Sequence, residues 1–514
     1  MQVFSKIDKN RYVDSLETLY MTAVINSQEG VEVGFAAMAK ESLKSDLAKN
    51  GMLTDDINAL KESDFVIVAK CESKDVFDAV IRQISKDEGD SGKEVRKSYP
   101  DLTEAVKAHP EINLCQINVP GEYALEEVTK ALNAGLHCCV LSNNVPLEDE
   151  RKMKELAVEK GLLCMGPDCG VANINGAALV LASINNRGPF GICGASGTGI
   201  QHVAAILHEC GTGVSQTIGT GGNDLKEPVG GLMMQMGIDV LEADPETKYI
   251  ILISRKPADS VLEVLLARIK RCRKPIVVFF MGCTPKQIED AGGIFAANLD
   301  DCAQKALAII GKKYDLETPE HIQMLAEEAV KGMSPKQKYL RGMYTGGTYM
   351  DEAMRTMIPV IGPIRSNAPL DPRLKLEDSY RSVKNCCVDY GEEEFTLGRP
   401  HPAIDPSVRK AELMREARDE EVAVIVLDFI LTPPGHMDPA GDIIPEIRKA
   451  QRLAAEQGRK LVFIASVLGT DADLQNKREQ NRKLSEAGVI VCKTNNTASL
   501  LAAQIIKLQG EWAR

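Results

Sequence analysis

Strand-like apolar runs alternate with helical segments along almost the whole 514-residue chain. The helical segments end in the usual way, as 122–135 does at the capping glycine Gly135. This alternation favours doubly wound parallel sheets with right-handed crossovers, and the length exceeds that of one hydrophobic core. We therefore predict an α/β protein built from several doubly wound parallel-sheet domains. Examples of the strand-like runs are 64–70, 112–120, 137–142, 189–195, 248–254 and 274–282.

An internal repeat relates residues 189–309 to residues 338–507. Each segment begins with a strand and a glycine-rich turn into a helix, GICGASGTGIQHVAAIL in the first and GMYTGGTYMDEAM in the second. Each then continues with acidic residues that lead into a strand, followed by a helix. Basic residues next lead into another strand, and each segment ends with a strand and an alanine-rich helix. The shared order predicts two related α/β domains. The polar, helical residues 313–337 between them are predicted to be a linker.

Charge and cysteine usage narrow the functional classes. The net charge is −12, without a basic tract, which argues against a nucleic-acid partner. The N-terminus is polar and no apolar run approaches the roughly 20 residues that cross a bilayer, so a cytoplasmic location is expected. The 14 cysteines are scattered without a Cys-x-x-Cys pair, which favours reduced core thiols over a metal or redox site.

The charged segment 86–99 is expected to be an exposed loop.

The strongest local motif is the turn Gly194–Gly199 between an apolar strand and a helix. A helix N-terminus presents unpaired N–H groups and a partial positive charge, and small residues let an anion approach them. The candidate phosphate-binding residues are Ser196, Gly197, Thr198 and Gly199. The turn lacks the Gly-Lys-Ser/Thr of a Walker loop and the Gly-x-Gly-x-x-Gly spacing of a dinucleotide site. The alternative is a plain strand-to-helix turn with a serine cap.

The repeat strengthens the phosphate interpretation. Gly346, Gly347 and Thr348 occupy the corresponding turn of the second copy. Two related domains packed around a pseudo-twofold axis would direct two positive helix ends at one point. A doubly charged phosphate there would need little help from basic side chains.

Two further glycine-rich turns follow strands, and ligands of open α/β sheets collect where such turns meet. One turn is 165–170 with Asp168, and the other is 219–224 with Gly221, Gly222 and Asn223. Both could equally be tight turns without a ligand. No metal-ligand cluster is evident, although Mg²⁺ with a phosphate would need only one or two carboxylates.

Two proline-rich loops hold the candidate catalytic residues. His401 and Asp405 lie in the segment GRPHPAIDP, and His436 lies in PPGHMDP just after the apolar strand VAVIVLDFI. Rigid loops at strand ends are common positions for acid–base groups, and a purely structural role for these prolines is the alternative.

At these motifs the chain resembles the FdrA family, which is itself similar to succinyl-CoA synthetase. Residues 112–310 resemble the α subunit, where LLCMGPDCGV, GICGASGTG and IGTGGNDL match its GPNCPG, SRSGT and GIGGD segments, and residues 338–507 resemble the end of the β subunit. The resemblance implies a Rossmann-like, CoA-binding-like domain over 1–185 and an α-type ligase domain over 186–312. It also implies a β-type C-terminal domain over 338–514, both ligase-type domains being flavodoxin-like.

The chain departs from the synthetase pattern at three places. Asp290 stands where the synthetase has its phosphorylated histidine, which argues against a phosphohistidine relay. Residues 1–70 contain no GFTGSQG-type CoA loop, and no ATP-grasp nucleotide domain is present. These departures argue against CoA and nucleotide binding by this chain.

The resemblance implies a subunit of a carbamoyltransferase of ureide breakdown that works with companion subunits. The sheet edges and the two-domain α/β core also predict a homo-oligomer. Phosphate would attack a ureido acid such as oxalurate to give carbamoyl phosphate and oxamate. Ser196, Thr198 and the 346–348 amides would bind phosphate, and His401 or His436 would move protons. The first alternative is an acyl-CoA synthetase-like ligase whose partner handles the nucleotide. The second is a non-catalytic scaffold subunit.

Overall fold

The computed structural model describes the chain except residues 10, 12, 14, 27, 29, 40–42, 45, 46, 49, 50, 62, 63, 90–98, 100, 397–399, 513 and 514. The chain divides into two compact units, Met1–Asp101 and Leu102–Arg514. Within the described residues, no helix is both long and apolar enough to cross a membrane.

The first unit contains an antiparallel sheet in the order β1-β3-β2. Its strands pair through registers such as Gln2 with Cys71 and Met38 with Phe65. This unit differs from the single Rossmann-like domain expected over residues 1–185, because its sheet is antiparallel and ends before residue 102. Its elements are β1 (Gln2–Asp8), α1 (Ser15–Asn26), β2 (Val31–Met38), α2 (Asp55–Asn58), β3 (Phe65–Cys71) and α3 (Lys74–Gly89).

The loop predicted over 86–99 is corrected at its start. Residues 86–89 form the last turn of α3, and residues 90–98 lie outside the described part of the chain.

The second unit begins with a small parallel sheet in the order β4-β5-β6. This is the parallel portion of the expected Rossmann-like domain, and it occupies only residues 114–165. Its elements are α4 (Leu102–Ala108), β4 (Leu114–Ile117), α5 (Gly121–Asn133), β5 (His137–Val140), α6 (Leu147–Lys160) and β6 (Cys164–Met165).

The middle sheet has the order β13-β12-β11-β9-β10-β7-β8, in which the β10–β7 and β7–β8 pairs are antiparallel and the other pairs are parallel. Strands β10 and β12 are buried along their whole length, as expected for a sheet covered by helices on both faces. The elements are β7 (Val171–Ile174), β8 (Ala177–Val180), β9 (Arg187–Gly194), α7 (Gly197–Glu209), β10 (Val214–Gly219), α8 (Leu232–Ala243), β11 (Tyr249–Ser254), α9 (Asp259–Arg271), β12 (Ile276–Phe280), α10 (Pro285–Glu289), β13 (Ile294–Phe295), α11 (Leu299–Ile309) and α12 (Pro319–Val330).

The last sheet is parallel throughout, in the order β15-β16-β14-β17-β18-β19. A short 3₁₀ turn, Pro372–Leu374, follows β15. The elements are β14 (Tyr339–Tyr344), α13 (Gly347–Ile361), β15 (Arg365–Ser366), β16 (Cys386–Asp389), α14 (Glu393–Thr396), α15 (Ser407–Glu416), β17 (Val422–Ile430), α16 (Pro439–Glu456), β18 (Val462–Leu468), α17 (Lys477–Glu486), β19 (Ile490–Cys492) and α18 (Asn495–Trp512).

The two larger sheets share one strand order, as the internal repeat predicts. The order β13-β12-β11-β9-β10 in the middle sheet corresponds to β19-β18-β17-β14-β16 in the last sheet. Strands β9 and β14 therefore hold the same central position. Each leads through a glycine-containing turn into a helix, α7 in one copy and α13 in the other.

The expected linker contains a packed helix. Ile322, Ala326 and Val330 of α12 are buried in a core that also holds Leu501 and Ile505 of α18. Helix α7 also differs from an amphipathic surface helix, since its residues from Gly199 to Leu207 are all buried. One core joins α7, α11, α13 and α18, so the two sheets pack through these helices.

Candidate active site

The N-termini of α7 and α13 lie directly against each other. The Ser196 hydroxyl, which caps α7 by accepting from the Gly199 N–H at 3.0 Å, is 2.8 Å from the Thr348 hydroxyl in the first turn of α13. Thr198, at the equivalent position of α7, packs on Gly346, where a Cβ would lie 2.9 Å from the Thr198 Oγ1. The two contacts are reciprocal, which is the pseudo-twofold arrangement that the sequence predicts.

Helix geometry gives this contact its electrostatic character. The N–H groups of the first turn have no acceptor within their own helix, and each helix end carries about half a positive charge. Gly197 and Gly347 begin the two helices and carry no side chain of their own there, although the Asp389 carboxyl and the Arg255 guanidinium lie beside Gly347. The structure thus brings Ser196, Thr198, Gly346, Gly347 and Thr348 together around one anion-attracting point.

The other glycine turns of the first copy border this point. A Cβ on Gly221 would lie 2.2 Å from the Pro167 carbonyl oxygen, and a Cβ on Gly197 would lie 3.4 Å from the Val171 side chain. Gly222 and Asp168 face each other across these turns, with a Cβ position on Gly222 4.0 Å from the Asp168 Oδ2.

Asp168 has a raised pKa although the residue is exposed. Desolvation by the surrounding turns, together with the carboxylates of Glu150 and Glu392, raises the pKa of Asp168 to about 6.

A buried carboxylate fixes the turn before α13. Asp428, near the end of β17, accepts the backbone N–H groups of Thr345 at 2.8 Å and Gly346 at 3.2 Å. The guanidinium of Arg409 is 3.0 Å from Asp428, and both side chains are buried. Asp428 therefore occupies the amides that precede the helix, and the N–H groups of Gly347 and Thr348 are the ones left for a ligand.

Asp389 adds a titratable carboxyl to the site. It ends β16, accepts from the Gly391 N–H at 2.8 Å, and lies so near Gly347 that a Cβ there would be 2.6 Å from the Asp389 Oδ2. Burial raises the pKa of Asp389 to about 7, while the Gly391 N–H and the Arg255 guanidinium act in the opposite direction. Such a carboxyl can take up or release a proton near neutral pH.

A buried polar network fixes α7 to α13 one turn beyond the site. The His202 ring lies 2.6 Å from the Tyr349 hydroxyl through Nδ1 and 2.9 Å from Asp300 through Nε2. Asp300 in turn accepts from the Thr494 hydroxyl at 2.8 Å. The network joins α7, α11, α13 and the start of α18, and so holds the two helix ends in register.

The candidate catalytic histidines differ in their surroundings. The His401 Nε2 lies 2.9 Å from a Cβ position on Gly391, next to Asp389, and burial lowers the pKa of His401 to about 4. His401 is therefore neutral near pH 7. His436 lies in the adjoining loop, where its N–H donates to Ala403 and its Nδ1 accepts from the Asp438 N–H.

Asp405 accepts the backbone N–H of Ser407 at 3.0 Å, at the start of α15. This bond closes a turn directly before the helix, whose N-cap residue is Pro406. In the same motif, residues 398 and 399 lie outside the described part of the chain.

A buried ion cluster anchors the turn that carries Gly221, Gly222 and Asn223. The Lys154 ammonium, fully buried on α6, is 2.7 Å from Glu150 and 3.0 Å from Asp224, and donates to the Thr220 carbonyl at 2.9 Å. Asn223 donates to the other oxygen of Glu150 at 3.2 Å. The Asn223 amide is thus used within the protein, where it holds the turn.

Comparison with known proteins places the chain in a family. It is 42% identical over 510 residues to the uncharacterized protein YahF of Escherichia coli, covering 98% of this chain and 99% of YahF. The chain belongs to the YahF family. A CoA-ligase family model matches residues 343–505 and a CoA-binding-domain model matches residues 185–282 of this YahF-family chain. Residues 1–97 match a model described as AllF, heavy metal-associated domain.

More distant relatives match less than half of the chain. The α subunit 2 of the ADP-forming succinate–CoA ligase of Archaeoglobus fulgidus is 28% identical over 238 residues, which cover 45% of this chain and 81% of that subunit. The subunit SauD of the ADP-forming sulfoacetate–CoA ligase of Bilophila wadsworthia is 26% identical over 223 residues, 41% of this chain and 74% of SauD. Over less than half of its length, this YahF-family chain is therefore similar to subunits of ADP-forming CoA ligases.

The heavy-metal description does not fit the residues of the first unit. Residues 1–97 contain one cysteine, Cys71, and no histidine. Cys71 is buried at the end of β3, where burial raises the pKa of its thiol. Soft metals need several thiolate or imidazole ligands, and one buried thiol cannot supply them. Across the described residues, no group of three or more His, Cys, Asp or Glu side chains is arranged for a metal ion.

Local sequence motifs do not identify several residues of the site. Arg255, Asp389, Asp428 and His202 lie within or directly after strands and helices whose own pattern is apolar. Asp389 is the last residue of β16 and Asp428 lies near the end of β17. Both strands are buried neighbours of the central strand β14, and this is the one sequence cue that points to the two residues.

Proposed function

We propose that this chain is the acyl-transfer component of an acid–thiol ligase. It holds an acyl phosphate at the paired N-termini of α7 and α13 while the thiol of CoA attacks the acyl carbon. The bond from the acyl carbon to the phosphate oxygen breaks, the thioester forms, and inorganic phosphate leaves. Nucleotide chemistry would be supplied by a companion chain, and the chain would act within a multi-subunit assembly.

The observation that carries the proposal is the reciprocal contact of Ser196 with Thr348 and of Thr198 with Gly346. Two helix ends directed at one point stabilise the phosphate dianion both in the substrate and as the leaving group. The CoA-ligase model, which spans residues 343–505 and so includes α13, supports the same chemistry.

Asp389 would act as the general base in this reaction. Its carboxyl lies beside Gly347, and its pKa of about 7 suits removal of the proton from an attacking thiol at neutral pH. The proton of the thiol would pass to the Asp389 carboxylate. His401, next to Gly391, would hold this loop in place as a neutral ring.

Carbamoyl transfer to phosphate is the second candidate, and Asp290 favours it. Asp290 occupies the position of the phosphorylated histidine of succinyl-CoA synthetase, is exposed, and pairs with Lys286 at 2.9 Å. A chain without that relay suits a transfer that uses no ATP. An oxygen of phosphate would attack the carbamoyl carbon of a ureido acid, and the amino group of the departing amide would take the proton.

The test uses the purified full chain in two parallel assays. The first follows thioester formation from acetyl phosphate and CoA, and the second follows loss of carbamoyl phosphate in the presence of oxamate. The acid–thiol ligase function predicts thioester formation in the first assay. Turnover of carbamoyl phosphate without CoA would contradict that function and support carbamoyl transfer instead. Binding of inorganic phosphate, measured by calorimetric titration, tests the shared anion site without a companion chain.

The variant Ser196→Ala/Thr198→Ala is expected to weaken phosphate binding by about 10-fold or more, since charge-assisted hydrogen bonds and the cap are lost. The control is Thr284→Ala, which removes a capping residue of the surface helix α10. Phosphate binding that the double variant leaves unchanged would contradict the site.

A further inference from the structure

The two outer strands of the first unit differ in how their free edges are used. The sheet β1-β3-β2 has β3 at its centre, so among the described residues β1 and β2 each have one side without a neighbouring strand. Backbone N–H and C=O groups along such a side are a template for pairing with a strand of another chain. A protein that is to stay unpaired there has to cover both edges.

Side chains of α1 cover the edge of β2. The Asn26 amide nitrogen donates to the Gly34 carbonyl at 2.8 Å, and the Asn26 oxygen accepts the Gly34 N–H at 2.9 Å. Two residues further along the strand, the Thr22 hydroxyl accepts the Ala36 N–H at 2.9 Å. The backbone groups of β2 that an added strand would need are therefore already bonded within the unit.

The edge of β1 is not covered in this way. All seven residues of β1 pair with β3 on one side, from Gln2 opposite Cys71 to Asp8 opposite Phe65. Within the described residues, the β1 backbone forms no hydrogen bond outside this ladder. Every residue of β1 is exposed or only partly buried. The outer side of β1 can therefore accept a strand of an extended partner.

Two opposite charges lie on one face of β1. The side chains of Lys6 and Asp8 point the same way, because side chains alternate along a strand. Among the described residues, Lys6 has no ion pair in its own chain. Asp8 pairs with Arg11 at 2.9 Å, with both side chains partly exposed. Since a carboxylate has two oxygens, Asp8 can accept a second cation.

This charge pattern is self-complementary when two copies of β1 pair antiparallel about a two-fold axis. With the axis at Ile7, Lys6 of each copy lies opposite Asp8 of the other, and the two Ile7 side chains meet. Opposite charges and β-branched residues stabilise an antiparallel pair when they lie directly opposite each other. An axis at Lys6 would place two like charges opposite each other. An axis at Ser5 would place Lys6 opposite Phe4 and leave both charges unpaired.

We infer that β1 is a self-association edge, at which a second copy of this chain adds its own β1 antiparallel about Ile7. The two three-stranded sheets then form one continuous sheet. The contact uses the same surface on both copies, as a closed two-fold dimer requires. The inference does not depend on the proposed function, because the first unit contributes no residue to the anion site.

Sedimentation velocity of the full chain tests the inference. The wild type is expected to form a dimer that weakens as salt is added. Lys6→Asp and Asp8→Lys are each expected to raise the dissociation constant of the dimer by about 10-fold or more, because each places like charges opposite each other. An equimolar mixture of the two variants should associate as the wild type does, since the acidic edge of one then meets the basic edge of the other.

The control is Lys74→Asp, which makes the same change in net charge on the exposed first turn of α3. It should leave the association unchanged. A monomeric wild type, an assembly whose mass neither variant changes, or a mixture that stays dissociated would each overturn the inference. Association restored by mixing also shows that both variants are folded, so a loss of structure is distinguished from a loss of pairing.

Discussion

Replacing Asp389 with asparagine is expected to lower the rate of thioester formation by about 10²- to 10⁴-fold, the usual range for removal of a general base. The carboxyl lies beside Gly347 at the reacting centre, and burial raises its pKa to about 7. Asparagine keeps the shape and can still accept from the Gly391 N–H, but it cannot take a proton. The measurement is kcat/KM across the neutral pH range for the wild type and Asp389→Asn.

The direction of the pH dependence follows from the raised pKa. The carboxylate is the active form, so the wild-type rate should rise as pH increases through about 7, and the variant should show no such rise. The free energy of unfolding changes in the opposite direction: it falls as pH rises, because Asp389 holds its proton more tightly in the folded chain than in the unfolded chain. The stability contributed by protonated Asp389 is full below about pH 4 and is lost as pH rises through about 7.

The control for this variant is Asp378→Asn, which changes an exposed carboxylate that pairs with Arg381 at the surface. It should retain the wild-type rate and pH profile. An Asp389→Asn variant with wild-type kcat/KM and an unaltered profile would remove Asp389 from the mechanism.

Lys154→Met is expected to reduce the free energy of unfolding by about 3–5 kcal/mol, as when one partner of a buried ion pair is removed. The ammonium lies between Glu150 at 2.7 Å and Asp224 at 3.0 Å, and all three side chains are buried. Methionine fills a similar volume but leaves two carboxylates without a cation. Chemical denaturation measures the loss.

The same helix supplies the matched control. Lys152 pairs with Glu148 at 2.8 Å while half exposed, so Lys152→Met should change stability by less than about 0.5–1 kcal/mol. Adding Glu150→Gln to Lys154→Met should restore part of the lost stability by removing one of the two charges. A Lys154→Met variant as stable as Lys152→Met would show that the cluster does not anchor the turn at 219–224.

The sequence predicted the parallel sheets and the repeat because both follow from local pattern. Buried parallel strands are continuous apolar runs, and a glycine turn into a helix marks the central strand of each copy. The equal strand orders of the two larger sheets confirm the relation between the copies. The contact of Ser196 with Thr348 follows from that relation, although the two residues are 152 positions apart.

The first unit was less predictable. Its strand β1 is only partly buried and lacks a strict alternation, so no periodic signal distinguishes an antiparallel from a parallel pairing. The pattern of the apolar run 64–70 predicts one strand of a larger parallel domain, whereas in the structure this run forms the centre of an antiparallel sheet. Pairing partners of a lone apolar strand are set by tertiary contacts rather than by its own residues.

The buried charges were missed for a different reason. Glu150 and Lys154 are spaced four residues apart, a pattern typical of a solvated helix face, and their third partner Asp224 is 70 residues from Lys154. His202 lies in an apolar helix where a histidine has no distinguishing neighbour in the sequence. Asp389 differs, since an acidic residue at the end of a buried strand beside the central strand is a recognisable cue.

A crystal structure of the full chain grown with inorganic phosphate tests the central claim most directly. The account predicts phosphate at the paired helix ends, with oxygens accepting from the N–H groups of Gly197 and Thr198 on one side and of Gly347 and Thr348 on the other. Phosphate bound at another place, while the Ser196–Thr348 contact stays closed at its 2.8 Å distance, would contradict it.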